Sequence, residues 1–134
     1  MTRRIPHRRM LRRFLDALLC LVAPALAAQP LTFLVGNDAA CDHTTIQAAI
    51  DAAASNPGED FIRIANNRSY TAQALVIGRQ DLTLTGGYTD CVAAQSPGAL
   101  PAASTLLDGA GGAAAPVIAI LESGVRALRN LQIR

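Results

Sequence analysis

The sequence contains no lysine and no tryptophan, and aromatic residues make up 4% of it. Half of its basic residues, all of them arginines, stand within the first 13 positions. From residue 28 onward six arginines face nine acidic residues, a net charge of −3. A surface that binds phosphates needs clustered cationic side chains on the folded domain. The composition therefore excludes nucleic acid as a partner of this part of the chain.

No apolar run is long enough to cross a bilayer. The run over residues 17–26 has about ten residues, whereas a spanning helix needs roughly 20. It follows a basic segment and ends in Ala25-Leu26-Ala27, the small-residue pattern that signal peptidase requires. We predict an export signal over residues 1–27, cleaved after Ala27. The protein would then be periplasmic, secreted or held on the outer cell surface.

Two other export signals stay open as minor alternatives. Arg8-Arg9 partly resembles a twin-arginine signal, but Arg12 stands where a second apolar residue is usual. Cys20 would fit a lipoprotein, but Leu19 precedes it where a small residue is needed.

Cysteine is scarce, and only Cys41 and Cys91 remain after the predicted cleavage. An even pair in an exported chain predicts a disulfide between them. A metal site at Cys41-Asp42-His43 lacks a second pair of ligands, so His43 is expected to be an exposed residue before a helix. We predict no metal site and no cofactor.

The remaining residues, roughly 107, suffice for one domain. With so few aromatic residues its core must consist of Ile, Leu, Val and Ala, which favours stacked aliphatic layers. Residues 28–43 are expected to form an extended lead and residues 44–134 the folded part.

A helix is predicted from Thr44 to about Ser55. Thr44 as N-cap and Gln47 three residues later form a capping box, and Asn56-Pro57-Gly58 ends the helix. Its narrow apolar stripe consists of Ile46, Ala49, Ile50 and Ala53. No second helix is predicted, which disfavours a βαβ fold.

Short strands are predicted after this helix, each closed by turn residues. Four apolar pairs recur at steps of about 20, 24 and 25 residues. The pairs are Ile62/Ile64, Leu82/Leu84, Leu106/Leu107 and Leu131/Ile133. Such steps indicate a repeat architecture in which a terminal helix covers the first repeat. An antiparallel meander would also repeat and remains the alternative.

The run CDHTTIQAAIDAAASNPGEDFIRIANNRSYTAQALVIGRQDLTLTGGYTDC resembles the N-terminal portion of exported bacterial right-handed parallel β-helix proteins of the pectin lyase-like class. The helix TIQAAIDAA, the run IRIANNRSY and LTGGY before a cysteine carry the resemblance. The later STLLDGAGG, PVIAILESG and ALRNLQIR look like following rungs. The resemblance implies an all-β solenoid with an N-terminal capping α-helix, from about residue 35 to 134. It implies no particular activity, because this module precedes many different functions.

The glycine pair Gly86-Gly87 has two interpretations. A nucleotide-binding loop would need a helix directly after it, and the prolines that follow do not allow one. We therefore predict a structural corner, where glycine lets a strand bend between two sheets and lets rungs approach closely. Tyr88 would cover this corner, and Cys91 would reach back to Cys41.

No catalytic constellation is apparent. Asp81, Asp90 and Asp108 are the only acids near strand ends in the middle of the chain, and turn capping is the simplest interpretation of them. Arg126 and Arg129 fit a solvated surface, and Asn67-Arg68-Ser69 is a formal glycosylation sequon.

The pattern stops at Gln132-Ile133-Arg134 without a polar cap, so we expect the chain to continue into further rungs of a longer protein. The leading expectation is a non-catalytic scaffold or surface-binding segment, with a polysaccharide or cell-surface ligand as partner. The alternatives are the N-terminal part of a polysaccharide lyase or hydrolase and a self-contained small β domain.

Overall fold

The structure, a computed structural model, describes residues 29–78, 81–109, 116–122 and 124–134. The predicted export signal and Cys20 lie outside the described residues. The structure is mostly β, with few helices. Its strands are β1 (Thr32–Val35), β2 (Glu59–Ala65), β3 (Leu75–Ile77), β4 (Asp81–Tyr88), β5 (Thr105–Leu107), β6 (Ile118–Ile120), β7 (Val125–Arg129) and β8 (Leu131–Ile133). Its helices are α1 (Ile46–Ala53) and α2 (Cys91–Gln95).

The strands form three parallel sheets. A large sheet has the order β1-β2-β4-β7, and two smaller sheets pair β3 with β6 and β5 with β8. From β4 onward the chain visits the large sheet, the β5–β8 sheet and the β3–β6 sheet in turn. The preceding pass keeps this order, because Tyr70 forms a parallel bridge to Leu107 before the chain reaches β3. The parallel pairing rules out an antiparallel meander for the described strands.

Parallel register stacks aliphatic side chains into one core. Ile62 of β2 lies beside Leu84 of β4, and Leu75 of β3 lies beside Ile118 of β6. The central cluster consists of Ile, Leu, Val and Ala side chains with Tyr70 as its one aromatic member. Fully burying such a side chain contributes roughly 1.5 to 3 kcal/mol. The predicted aliphatic core is confirmed.

Helix α1 covers one end of this core. The predicted stripe is correct, since Ile46, Ala49, Ile50 and Ala53 are all buried. The predicted N-cap is wrong by one residue: Thr45, in an extended conformation, accepts the Ala48 N–H at 3.3 Å through its hydroxyl. The helix also ends two residues earlier than predicted, at Ala53.

The predicted repeat combines two different sheets. Ile62/Ile64 and Leu82/Leu84 do share the large sheet, in β2 and β4. Leu106/Leu107 instead lies in β5 and pairs with Leu131/Ile133 of β8. The 24-residue step therefore crosses between sheets and does not relate equivalent strands. In addition, β1 lies in the segment predicted to be an extended lead.

A second, smaller hydrophobic cluster packs around the connection after β4. The predicted disulfide is present, with Cys41 and Cys91 joined across 50 residues. Cys91 begins α2, the short helix that the sequence analysis did not predict. Around it pack Leu34, Ala65, Tyr88 and Ala94. The disulfide therefore joins the start of α2 to the turn after β1.

Candidate functional site

The glycine pair lies near the end of β4, close to Thr105 of β5 and Leu131 of β8. The register of β2 with β4 shifts between Arg63 and Ala65, which makes a bulge in β4 where the glycines stand. Gly87 has φ +93°, and a Cβ there would collide with the carbonyl of Ala103. A Cβ at Gly86 would lie 2.6 Å from the Thr105 hydroxyl. The expected close approach is therefore present, but within a bulge.

Helix α2 follows the glycines, so the argument that no helix comes after them is wrong. Its N-terminus nevertheless offers no phosphate site. The Asp90 carboxylate accepts the Ala93 N–H at 2.7 Å, and the Asp38 carboxylate accepts the Cys91 N–H at 3.0 Å. Two carboxylates of the protein thus already occupy the N–H groups that a phosphate would need.

A compact group formed by Asp38, Cys41 and Cys91 brings three potential metal-ligand atoms within 4.8 Å of one another. Both sulfur atoms are used by the disulfide. The Asp38 carboxylate also accepts the Ala40 N–H and the Asn67 side-chain amide. This group is therefore a structural junction. Asn67 of the sequon is one of its partners.

His43 is half-buried, which corrects the expectation that it is exposed. It forms a parallel bridge with Val35, and its ring lies 5.8 Å from that of Phe33. It packs along the outer edge of β1.

The three middle acids lie in different surroundings. Asp90 caps α2, as the turn-capping interpretation predicts. Asp81 bonds Arg126 at 2.9 Å on the surface, and Asp108 bonds Arg134 at 2.7 Å. Asp81 starts β4 and Asp90 follows its end, so a rise of about 3.3 Å per residue separates them by more than roughly 20 Å. That is too far for a glycosidase pair, which needs about 5 to 9.5 Å.

Asp108 lines a cleft with a volume of about 430 Å³. The cleft lies along the outer side of the β5–β8 sheet, between the segment after β2 and the residues of β5. It is lined by Asn66, Arg68, Ser69, Tyr70, Thr71, Ser104, Thr105, Leu106, Asp108 and Arg134. Three successive passes of the chain contribute to it, because Tyr70 pairs with Leu107 and Leu107 pairs with Ile133. Parallel stacking thus brings together residues up to 68 positions apart in the sequence.

One wall of the cleft is held by a hydrogen-bond network through a buried hydroxyl. Thr105, 1% exposed, donates to the Asn66 side-chain oxygen at 2.6 Å and accepts the Gly87 N–H at 2.8 Å. The Asn66 amide in turn donates to the Ser104 carbonyl at 3.2 Å. The network ties the bulge in β4 to the cleft wall.

Arg68 and Arg134 supply the cationic groups of the cleft. The guanidinium of Arg68 donates to the Thr44 carbonyl and lies 5.6 Å from the centre of the Tyr70 ring. Its Nε is buried and has no hydrogen-bond partner. The Asp108 carboxylate holds the Arg134 guanidinium and raises its pKa above the ordinary value.

Tyr70 forms the inner floor of the cleft. It is 4% exposed, and its hydroxyl donates to the Ala65 carbonyl at 2.9 Å. Burial raises the pKa of Tyr70 to about 12, although the neighbouring Arg68 acts in the opposite direction. The tyrosine is therefore a neutral structural group at ordinary pH.

Sequence reasoning named Asp108 of this cleft as a turn cap, Leu106 as part of a repeat and Arg134 as the end of the pattern, and it connected none of them with a site. Arg68 and Ser69 were noted only within the sequon. The sequence does contain a pattern that could have indicated the site. In both NNRSYT and STLLD, hydroxyl, amide or charged residues flank one buried residue, Tyr70 or Leu107. Chemically, the cleft offers many hydrogen-bond donors and a single carboxylate already paired with an arginine.

Comparisons of the chain with protein-family models, curated proteins and solved structures find no match. Among the described residues no helix is long and apolar enough to cross a membrane.

Proposed function

We propose that the chain is the capped N-terminal segment of an exported right-handed parallel β-helix protein of the pectin lyase-like class, and that it serves as a non-catalytic scaffold presenting a binding cleft to surface glycans. The observation that carries the proposal is the repeated order in which the chain visits three parallel sheets. A solenoid built from such passes buries the apolar face of each pass against the next. A right-handed path is the usual one for parallel crossovers.

The distribution of exposed apolar residues supports the same proposal. The strands β6, β7 and β8 each pair on one side only among the described strands. Ile120, Leu128 and Ile133 on these strands are 48%, 39% and 55% exposed. Unpaired strand edges with apolar side chains favour further pairing. In our proposal, further passes of the same kind cover them.

The cleft favours binding over catalysis. The uncharged polar side chains of Asn66, Ser69, Thr71 and Ser104 suit the hydroxyl groups of a polysaccharide, and ligand sites are concave with polar groups that fix the ligand's orientation. Among the described residues that line the cleft, Asp108 is the one carboxylate, and it is bonded to Arg134, so no second carboxylate there shares acid and base roles. The alternative, a polysaccharide-degrading enzyme, is supported by the presence of Asp108 and two arginines in the same cleft.

Electrophoresis of the oxidised protein through gels containing single neutral or acidic polysaccharides tests the proposal. We expect at least one polysaccharide to retard the protein without being degraded. Ser69→Trp, at an exposed position in the cleft, should abolish the retardation, whereas Ser96→Trp, at an exposed position outside it, should not.

Two results would contradict the proposed function. Retardation by no polysaccharide, or equal retardation of the Ser69→Trp variant, would exclude this cleft as a glycan site. New reducing ends or unsaturated products that disappear with Asp108→Asn would establish the enzyme instead.

A further inference from the structure

The cleft also indicates the kind of chemical group that binds in it. We propose that Arg68 and Arg134 form a site for an oxyanion group, a carboxylate, sulfate or phosphate carried by the ligand. This inference rests on the proposed binding role and names the group that the cleft recognises.

The charge of the cleft is the first argument. Its described lining contains two guanidinium groups and one carboxylate, and that carboxylate is bonded to Arg134. Within the part of the chain that the structure describes, Arg68 makes no ion pair. The cleft is therefore locally cationic on a chain whose residues from 28 onward carry a net charge of −3. A concave site with one excess charge attracts an opposite charge more strongly than an open surface does.

The fixed position of Arg68 is the second argument. Its bond to the Thr44 carbonyl and its cation–π contact with the buried Tyr70 ring hold the guanidinium in place before any ligand arrives. Its Nε is buried and makes no hydrogen bond to the described residues. A guanidinium that is ordered in advance loses little side-chain entropy when it binds an oxyanion.

The other donors complete the site. Ser69, Thr71 and Ser104 line the same cleft and are exposed, so their hydroxyls are accessible to further oxygens of one group. An uncharged sugar ring is less well served, because binding it by stacking needs an exposed aromatic face and Tyr70 is 4% exposed. Charge, and not stacking, is the means of recognition that this cleft provides.

Titration of the isotope-labelled oxidised protein with sulfate, phosphate or acetate, followed by two-dimensional NMR at constant ionic strength, tests the inference. We expect saturable shifts of Ser69, Thr71 and Asp108 with at least one of the three ions. The ion that saturates first distinguishes a sulfate, phosphate or carboxylate group on the natural ligand. Chloride at the same ionic strength should give no saturable shift.

Substitutions locate the site. Arg68→Gln and Arg134→Gln should each weaken binding by about tenfold or more, because each removes a cationic hydrogen-bond donor. Arg68→Lys keeps the charge but not the planar fork, and should weaken binding by a smaller factor. Arg129→Gln, which removes an exposed charge outside the cleft, is the matched control and should bind as the wild type does. Arg134 is 73% exposed in its side chain, so Arg134→Gln remains informative if Arg68→Gln does not fold.

The inference is overturned if all shifts stay linear with concentration, if Arg134→Gln binds as well as the wild type, or if Arg129→Gln weakens binding equally. A neutral polysaccharide that retards the protein, without saturable oxyanion shifts, would leave the proposed glycan binding in place and remove only the oxyanion site. Saturable oxyanion binding with no retardation by any polysaccharide would keep the oxyanion site and remove the proposed glycan binding.

Discussion

The two ends of the stacked sheets differ in how their strand edges are finished. At the α1 end, residues 42–43 bond the outer edge of β1, since the Asp42 and His43 N–H groups donate to the Leu34 carbonyl. The Gln47 side chain binds both the N–H and the carbonyl of Val76 in β3, at 2.9 and 3.1 Å. At the other end, β6, β7 and β8 have one strand neighbour each among the described strands. One end is closed by side chains and a helix, and the other is open to further pairing.

The difference shows that closing the end of a stack of parallel strands requires two kinds of interaction. Apolar side chains of α1 replace the aliphatic layer that the next pass would supply, and polar side chains replace its backbone hydrogen bonds. An edge left without either is a template for another strand.

Removing the disulfide should have the largest effect. In Cys41→Ser/Cys91→Ser the unfolded chain regains the freedom that a loop of about 50 residues had lost, which costs about 4 kcal/mol on the chain-entropy account. Urea unfolding followed by circular dichroism measures the change. A loss below about 1 kcal/mol would mean that packing around α2, and not the cross-link, holds the closed end together.

Truncating one aliphatic side chain at each end should give unequal losses. Ile46 in α1 is 0% exposed, so Ile46→Ala is expected to cost about 3 kcal/mol through lost burial and a cavity. Ile133 in β8 is 55% exposed, and Ile133→Ala should cost less than about 1 kcal/mol. The same unfolding measurement compares the two variants. Equal losses would show that something covers the open end in solution.

Alkaline pH should weaken the closed end through Tyr70. Its folded-state pKa, about 12, lies above the ordinary value of 10.0, because burial disfavours the phenolate. The stabilising contribution is therefore complete below pH 10 and is lost as the pH rises toward 12. Thermal melting across this range should show a fall that Tyr70→Phe reduces. An identical fall in the variant would assign the alkaline loss to other groups.

Two carboxylates on the neighbouring strands β2 and β4 should also differ, because one is buried and the other is exposed. Asp60 in β2 is 1% exposed and accepts the Leu31 N–H and the Asn56 amide at 2.9 and 2.6 Å. Asp60→Ala leaves both donors without this acceptor and should cost about 2 kcal/mol. Asp81→Ala, which removes the exposed pair with Arg126, should leave the unfolding midpoint nearly unchanged. A larger loss from Asp81→Ala would show that the exposed pair on β7 stabilises the open end.

The elements that sequence reasoning located are those determined by nearby residues. The apolar face of α1 follows from the spacing of Ile46, Ala49, Ile50 and Ala53, and the strands follow from short alternating runs. The disulfide follows from two cysteines in a chain expected to be exported. The N-cap was misplaced because Gln47, three residues after Thr44, predicts a capping box, whereas the Gln47 side chain binds Val76 and the hydroxyl of Thr45 forms the cap. The structure instead uses the Thr44 carbonyl to bind Arg68.

What could not be predicted depends on pairing between distant residues. The connections between strands differ in length, so equal steps along the chain do not mark equal positions in the stack. Residues 89–104 between β4 and β5 contain α2, so the step from Leu84 to Leu107 is about as long as the step from β2 to β4, although it reaches only the next sheet. The cleft has the same origin, since Arg68, Asp108 and Arg134 meet only because three passes lie in register.

Gln47 provides the smallest and most selective test of the comparison. Its side chain was expected to complete a capping box. Instead it forms, with the N–H and the carbonyl of Val76, the two hydrogen bonds that a neighbouring strand would form with β3. Gln47→Ala should leave α1 helical and cost about 1 kcal/mol, because two hydrogen bonds at a solvent-exposed edge exchange with water. The more telling result concerns association: the freed Val76 edge should increase concentration-dependent sedimentation. Gln95→Ala, on α2, is the matched control. If Gln47→Ala sediments as the control does, β3 needs no polar cover and the burial provided by α1 alone closes that end.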